Sequence, residues 1–251
     1  MNIGAPVSSE RRGESAATGI ADNRWMTQQL DHDMLGSHLD ANGWAVRERL
    51  LSGSECHDLI GLFDDDARFR KHVDMTAQGY GKGEYKYFTY PLPELVAALR
   101  TSLYEVLAPI ANRWNESLRC AVRFPATHAE FIARCQAAGQ QRPTPLLLRY
   151  RAGDYNNLHQ DVYGEHVFPL QVAVLLSEPL EDFTGGELVL VEEQADAQSR
   201  VSVVPLRRGD AVIFAVRDRP VNGSPVTMRH GVSQLRSGHR TTLGIILHDA
   251  K

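Results

Sequence analysis

The sequence has few cysteines and no long apolar run. Its three cysteines, Cys56, Cys120 and Cys135, are far apart in a chain of 251 residues. An odd, widely spaced set argues against a disulfide framework and against a zinc knuckle. The apolar stretches, such as residues 172–176 and 243–247, are too short to span a bilayer. Residues 1–20 also lack the apolar core of a signal peptide, so we expect a cytoplasmic protein.

Composition and charge exclude several classes of protein. Hydrophobic residues make up 43% of the chain and charged residues 23%, values that exclude wholesale disorder and a collagen-like fibre. The net charge of −4 conceals an asymmetry, because residues 201–251 carry eight Lys or Arg against three Asp or Glu. Residues 178–196 hold seven acids and no base. Arginines commonly keep strand edges and turns hydrated, so charge alone does not predict nucleic-acid binding.

The N-terminal half is predicted to be mainly helical. Residues 1–25 are rich in Ser, Gly, Ala and charge, and we predict a disordered tail there. Within residues 26–141, Ser54 is the expected N-cap of a helix over 56–63. A second helix is predicted to start near Pro93 and to kink or end at Pro109, and a third to cover 126–138. Residues 79–90 hold four tyrosines around a Gly-Lys-Gly turn and predict a tyrosine-rich hairpin.

The C-terminal half is predicted to be a β structure. Turn signals such as Asn222-Gly223 and Ser237-Gly238 separate short β-rich runs at residues 145–150, 170–176, 187–191, 201–205, 211–216 and 240–247. Strands at this spacing without intervening helices favour a jelly roll. The predicted fold is therefore α+β and mainly β. A double-stranded β-helix over residues 142–251 forms one structural unit with the helical part at 26–141.

A candidate metal site lies in the β half. Residues i and i+2 of an extended strand project from the same face, so His159 and Asp161 can converge on one point. A distant strand would supply His230. Two imidazoles and one carboxylate are the ligands of the facial triad that holds non-haem Fe(II) and leaves coordination positions open.

The motifs around these residues occur in a recognisable order. The pair follows a strand and a Gly-Asp turn, and it is followed by three motifs: Phe183-Thr184-Gly185-Gly186-Glu187-Leu188, a Pro205 to Phe214 segment containing Gly209-Asp210, and Arg229-His230-Gly231-Val232. Over residues 142–248 the chain resembles the 2-oxoglutarate/Fe(II)-dependent oxygenases, particularly the prolyl-hydroxylase-like branch. The Pro205 segment is one residue longer than that pattern.

The resemblance implies both a ligand set and a co-substrate site. It implies His159, Asp161 and His230 as iron ligands and as the catalytic centre. A basic residue nine or ten positions past the second histidine binds the far carboxylate of 2-oxoglutarate in that family, and Arg240 matches it. An arginine suits this role because its planar fork binds a carboxylate bidentately. Thr242 could bond the same carboxylate, and Tyr150 is where related enzymes present a phenol to the co-substrate.

One geometric objection applies to Arg240. If Ser237-Gly238 formed a two-residue hairpin turn, Arg240 would pair with Leu235 and lie on the face opposite His230. Arg236 and His239 are the alternative anchors in that case.

The region around His159 also resembles the AlkB-type nucleic-acid demethylases. A tyrosine, a glycine turn and a His-X-Asp stand at similar spacing, but those enzymes usually have an asparagine where this chain has Leu148. The chain is also similar to a bacterial oxygenase family often described as acting on damaged DNA. Substrate contacts are expected from residues 80–90, 155–157 and 163–166.

The predicted function is a 2-oxoglutarate- and Fe(II)-dependent dioxygenase. The resemblance implies hydroxylation of a C–H bond with O2 as oxidant, release of succinate and CO2, and support by ascorbate. We expect a peptide or small molecule as the primary substrate and no membrane partner. The alternatives are oxidative demethylation of alkylated nucleic acid, an iron enzyme that does not use 2-oxoglutarate, and a non-catalytic cupin-like module that binds a metal or ligand.

Overall fold

A computed structural model describes residues 29–162, 164–193 and 198–251, with side chains from residue 34 onward. The tail predicted at residues 1–25 lies outside this range. No helix in the part of the chain that is described is long and apolar enough to cross a membrane.

Strands dominate the described residues. In chain order they are β1 (Trp44–Arg47), β2 (Phe69–Asp74), β3 (Gly81–Lys82), β4 (Glu84–Phe88), β5 (Leu146–Arg151), β6 (Tyr155–His159), β7 (Leu170–Leu175), β8 (Phe183–Gly185), β9 (Leu188–Glu193), β10 (Arg200–Val204), β11 (Ala211–Ala215), β12 (Arg219–Val221), β13 (Ser224–Val232) and β14 (Leu235–Ile246).

The strands form two antiparallel sheets. The larger, here the major sheet, has the order β1-β11-β7-β14-β5-β4-β2, with β8 paired to β14. The smaller, the minor sheet, has the order β10-β9-β13-β6-β3, with β12 paired to β13. This is the predicted jelly roll in an α+β, mainly β chain. The N-terminal part supplies β1, β2 and β4 to the major sheet and β3 to the minor sheet, while the division into units at residue 142 stays a prediction.

Five α-helices accompany the sheets in the described part: α1 (Gln29–Asn42), α2 (Gly53–Gly61), α3 (Met75–Gln78), α4 (Glu94–Ser117) and α5 (His128–Ala137). The N-cap predicted at Ser54 is wrong by two residues. Ser52 caps α2 and forms a capping box with Glu55, which satisfies two backbone N–H groups reciprocally.

The prediction that the helix ends at Pro109 is wrong, and a kink there stays a prediction. Pro109 lies inside α4, which continues to Ser117. A proline removes one helical hydrogen bond and crowds the preceding turn. Burial on both sides offsets that cost, because Leu107 and Trp114 belong to one core with Leu147 of the major sheet. Packing of the apolar face of α4 therefore outweighs the tendency of proline to break a helix.

The tyrosine-rich segment is not a hairpin. Its two strands join different sheets, because β3 pairs with β6 whereas β4 pairs with β2 and β5. The segment therefore closes one side of the space between the sheets.

The turn predicted at Ser237-Gly238 does not form. β14 runs unbroken through both residues, and Gly238 pairs with Phe183 of β8. The chain instead passes from the minor to the major sheet between Val232 and Leu235. Arg240 therefore does not fold back on Leu235, which removes the objection to its position.

Candidate metal centre

Three ligand side chains meet between the sheets. His159 ends β6, Asp161 follows two residues later, and His230 of β13 lies directly opposite His159 in the strand register. One ligand atom from each residue lies within 4.8 Å of the others. The sequence predicted this set, and the fold brings the three side chains together.

Hydrogen bonding fixes which nitrogen of His159 faces the cluster. The carbonyl oxygen of Asn157 lies 2.7 Å from His159 Nδ1, and a carbonyl can only accept, so Nδ1 carries the proton. The other nitrogen, Nε2, lies 3.8 Å from Asp161 Oδ1. Burial and the neighbouring His230 lower the pKa of His159. Both effects favour the neutral imidazole, which has a lone pair on Nε2 toward the cluster, as metal binding requires.

Asp161 and His230 are held by neighbours from the major sheet. Gln171 of β7 donates from Nε2 to Asp161 Oδ2 at 2.9 Å, and His230 Nε2 lies 3.5 Å from the same oxygen. The ring of Phe214 packs against His230 with a centroid separation of 4.8 Å. Such support orients ligands and limits the access of water. Sequence reasoning missed Gln171, although a single polar residue inside the apolar run Leu170–Leu175 was a usable signal.

The donor set fits a divalent first-row metal. Two imidazole nitrogens and a carboxylate on one side of a cavity match the facial arrangement that leaves positions open for other ligands. His230 Nδ1 is buried without a hydrogen-bond partner among the described residues. The other ring nitrogen, Nε2, lies 3.5 Å from Asp161 Oδ2 and is the atom directed at the cluster.

The cluster opens into a cavity of about 150 Å³ between the sheets. Alternate residues of a strand face opposite sides, so Leu148 and Ala173 line the cavity while Leu147 and Val172 join the core beneath the helices. Arg240, Thr242, Tyr150 and Asn156 line the same cavity as the three ligands.

Arg240 is a buried cation that forms no ion pair with an acid of the described residues. It is 3% exposed. Nη1 donates to Thr242 Oγ1 at 2.7 Å, while Nε has no partner in the part of the chain that is described. Burial lowers its pKa because the charged form loses hydration. An anion in the cavity would compensate for that loss.

Tyr150 lies beside this cation. It is fully buried and its hydroxyl accepts a hydrogen bond from Asn156 Nδ2 at 3.4 Å. Burial raises the pKa of Tyr150 to about 12, so the phenol keeps its proton at neutral pH. The structure thus brings Tyr150, Thr242 and Arg240 to one end of the cavity.

The alternative anchors lie elsewhere. The Arg236 side chain is 73% exposed and pairs with Glu187 at 3.1 Å. His239 is exposed and lines a separate depression with Ser177 and Asp182. Neither lines the cavity of the metal cluster.

Of the expected substrate contacts, the tyrosine-rich segment reaches the cavity. Tyr80, Tyr85 and Tyr87 line it, and the rings of Tyr85 and Tyr87 meet nearly edge to face at 5.3 Å. Asn156 also lines it, whereas His166 borders a different pocket. Tyr163 lies outside the described residues.

Known proteins are similar to this chain in sequence or in fold. A family profile named Oxygenase-NA, described as "Oxygenase, catalysing oxidative methylation of damaged DNA", matches residues 83–250. An uncharacterized protein of Mycobacterium tuberculosis, present in strains CDC 1551 and H37Rv, is 46% identical over 169 residues, which cover 65% of this chain and 72% of that protein.

Two prolyl hydroxylases share the architecture at low identity. A Pseudomonas putida prolyl-4-hydroxylase superposes with a TM-score of 0.52 and 13% identity, covering 88% of this chain and 99% of its own. A Trichoplax adhaerens prolyl hydroxylase, solved with a fragment of the hypoxia inducible factor oxygen degradation domain, gives 0.52 and 14%, covering 86% and 89%. At these identities the likeness establishes the fold.

Proposed function

Because this chain belongs to the Oxygenase-NA family of oxygenases, we propose that it is an Fe(II)- and 2-oxoglutarate-dependent dioxygenase. The reaction would hydroxylate a C–H bond of a primary substrate with O2. It would convert 2-oxoglutarate to succinate and CO2.

The observation that carries the proposal is the buried Arg240 in the cavity of the His159, Asp161 and His230 cluster. A dicarboxylate that chelates a metal at one end needs a cation at the other, and a guanidinium binds a carboxylate through two parallel hydrogen bonds. A metal-binding module or an iron enzyme without 2-oxoglutarate does not need a buried, unpaired arginine at this position.

His159, Asp161 and His230 would hold Fe(II). The bound iron supplies open coordination positions at which 2-oxoglutarate and O2 react, and ascorbate would keep it reduced. Gln171 keeps Asp161 oriented through the hydrogen bond to Oδ2. Phe214 covers one side of His230 with its ring and would limit the access of water to it.

The other residues of the cavity would place the co-substrate. Thr242 fixes the guanidinium of Arg240 and could bond the same carboxylate. The Tyr150 hydroxyl, protonated at neutral pH, is a hydrogen-bond donor at the same end of the cavity. Leu148, Leu188 and Leu206 supply apolar walls along its length.

Succinate formation tests the reaction class. Purified protein with Fe(II), ascorbate and 2-oxoglutarate should release succinate, even without a primary substrate, and the Asp161→Ala variant should not. Metal binding without succinate release, with or without candidate substrates, would favour the binding module.

For the primary substrate we infer a peptide or a small molecule. The acids of residues 178–196 that are described, and the C-terminal arginines, largely neutralise one another. The ion pairs are Arg208 with Glu178, Glu181 and Asp182, Arg236 with Glu187, Arg219 with Glu192, and Arg229 with Glu193. The basic side chains of residues 201–251 therefore do not form a surface suited to the several phosphates that a nucleic-acid polymer would present.

Alkylated nucleic acid is the second candidate, and the description of the family favours it. Enzymes that act on an extruded base stack it on aromatic or apolar side chains. Tyr80, which lines the cavity and is 49% exposed, could do so.

Oligonucleotide binding separates these candidates. Labelled single- and double-stranded DNA would be titrated at about 50 and 200 mM salt, because phosphate contacts make affinity fall steeply with salt. Steep salt dependence together with methyl removal from an alkylated oligonucleotide would overturn our choice. Absence of binding at low salt, with succinate release stimulated by a peptide or small molecule, would support it.

A further inference from the structure

Gly186 lies beside the stem of Arg240. It precedes β9 and has φ of +64°, a backbone conformation that L side chains rarely adopt. A Cβ built on Gly186 would overlap Leu235 Cδ1 and would lie 3.1 Å from Arg240 Cδ. Because glycine carries only a hydrogen at this position, the space beside it stays free for the methylene groups of the Arg240 side chain.

Neighbours on several sides hold the Arg240 side chain in place. Its Nη1 donates to Thr242, and its guanidinium carbon lies 5.7 Å from the Tyr150 ring centroid and 6.0 Å from that of Phe183. The side chain is buried. A displacement of Cδ by a few tenths of an ångström would therefore move the guanidinium relative to the metal cluster.

Leu235 cannot absorb the extra atom independently. It is 1% exposed and packs in one buried cluster with Tyr150 and Phe183, the two rings that flank Arg240. Well-packed interiors transmit such strain to their neighbours. The contacts of the added Cβ with Leu235 and with Arg240 thus all act on the position of Arg240.

We propose that Gly186 is a positioning residue for 2-oxoglutarate, because its missing side chain sets the place of the Arg240 guanidinium. This inference rests on the proposed function, since it assumes that Arg240 binds the co-substrate. Gly186 itself need not touch the co-substrate.

Gly186→Ala tests the proposal against a matched control, Gly223→Ala. Gly223 has φ of +77°, and a Cβ there would meet nothing within 4 Å. Both variants therefore strain the backbone similarly, but only one crowds Arg240. Binding of 2-oxoglutarate to the full-length protein loaded with Mn(II), a redox-stable substitute for iron, would be measured by calorimetry, with Mn(II) affinity and melting temperature recorded in parallel.

We expect Gly186→Ala to weaken 2-oxoglutarate binding by at least about tenfold while Mn(II) affinity changes less than about twofold. Gly223→Ala should change neither affinity. Equal 2-oxoglutarate affinity in the two variants would overturn the proposal, and so would a parallel loss of metal and co-substrate binding in Gly186→Ala. Wild-type protein that binds Mn(II) but no 2-oxoglutarate would instead refute the proposed function.

A second pair of variants serves if Gly186→Ala does not fold. Leu235→Ala removes the atom that the new Cβ would overlap, so Gly186→Ala with Leu235→Ala can be compared with Leu235→Ala alone. The remaining contact is the one with Arg240 Cδ. Weaker 2-oxoglutarate binding in the double variant would support the proposal, and equal binding would contradict it.

Discussion

Arg240 and Tyr150 lie directly opposite each other on the neighbouring antiparallel strands β14 and β5, with the guanidinium carbon 5.7 Å from the centre of the phenol ring. The strand pairing sets both side chains at the same depth in the cavity. Together, Arg240 and Tyr150 give this end of the cavity a cation and a hydroxyl group that can donate a hydrogen bond.

Removal of the guanidinium should chiefly weaken 2-oxoglutarate binding. We expect Arg240→Ala to lose roughly 2–4 kcal/mol, or about 30- to 1000-fold in affinity, because a charge-assisted bidentate contact disappears from a buried site. Arg240→Lys should recover only part, since an ammonium lacks the planar fork. Titration of metal-loaded protein with 2-oxoglutarate measures the loss.

Arg236→Ala is the matched control for that experiment. Arg236 is exposed and paired with Glu187, so its removal should leave the affinity for 2-oxoglutarate unchanged. Normal affinity in Arg240→Ala, with metal still bound, would exclude Arg240 as the anchor.

Each metal ligand should be needed for iron binding. His159→Ala, Asp161→Ala and His230→Ala each remove one of the three candidate ligands, so we expect loss of Fe(II) with retention of the far-UV circular dichroism spectrum. His57→Ala removes an exposed histidine of α2 and should keep full iron content. Full iron occupancy in a ligand variant would remove that residue from the set.

Acid should destabilise the fold through a histidine away from the cavity. His128 of α5 is buried with Nε2 2.9 Å from the Leu247 carbonyl oxygen, and burial lowers its pKa to about 4. Below its ordinary pKa of about 6.5, the unfolded chain binds a proton that the folded chain does not. Stability is therefore fully present above that pH and falls as the pH decreases toward 4, by about 2–3 kcal/mol from this group at pH 4.5.

Urea unfolding at pH 7.5 and 4.5 measures this dependence. His128→Gln keeps an N–H donor for Leu247 and does not titrate, so it should show a smaller loss of unfolding free energy on acidification. A loss equal to that of the wild type would show that His128 does not contribute.

The buried ion pair between Arg100 and Asp249 should be important for stability. Arg100 is 1% exposed, and its Nη2 lies 2.8 Å from Asp249 Oδ1. Arg100→Ala leaves a buried carboxylate without its cation and should cost about 3–5 kcal/mol of unfolding free energy. Arg113→Ala on the same helix breaks an exposed pair with Asp40 and should cost less than about 1 kcal/mol. Similar costs for the two would contradict this account.

Local patterns predicted six of the ten strands of the β half, β5 to β14, and some of them closely. The run at residues 211–216 is the strand Ala211–Ala215, and the run at 170–176 is Leu170–Leu175. Alternation and turn residues are properties of neighbouring positions, so the sequence displays them directly. The two-residue spacing of His159 and Asp161 is a local signal of the same kind.

Pairing between distant segments was not predictable in this way. The sequence predicts a hairpin over residues 79–90, yet the two strands of this segment pair with β6 in one sheet and with β5 in the other. The sequence predicts a turn inside the continuous strand β14, because Gly238 taken alone resembles a turn residue. Gln171 supports Asp161 only after β7 and β6 are brought together. Long-range contacts decided each case.

Oxygen labelling tests the central claim most directly. The protein would be incubated with Fe(II), ascorbate and 2-oxoglutarate under ¹⁸O₂, and the succinate would be analysed by mass spectrometry. Oxidative decarboxylation by a dioxygenase places one oxygen atom of O2 in the new carboxylate, so we predict singly labelled succinate from the wild type and none from Asp161→Ala. Absence of succinate, or succinate without label, would contradict the assignment.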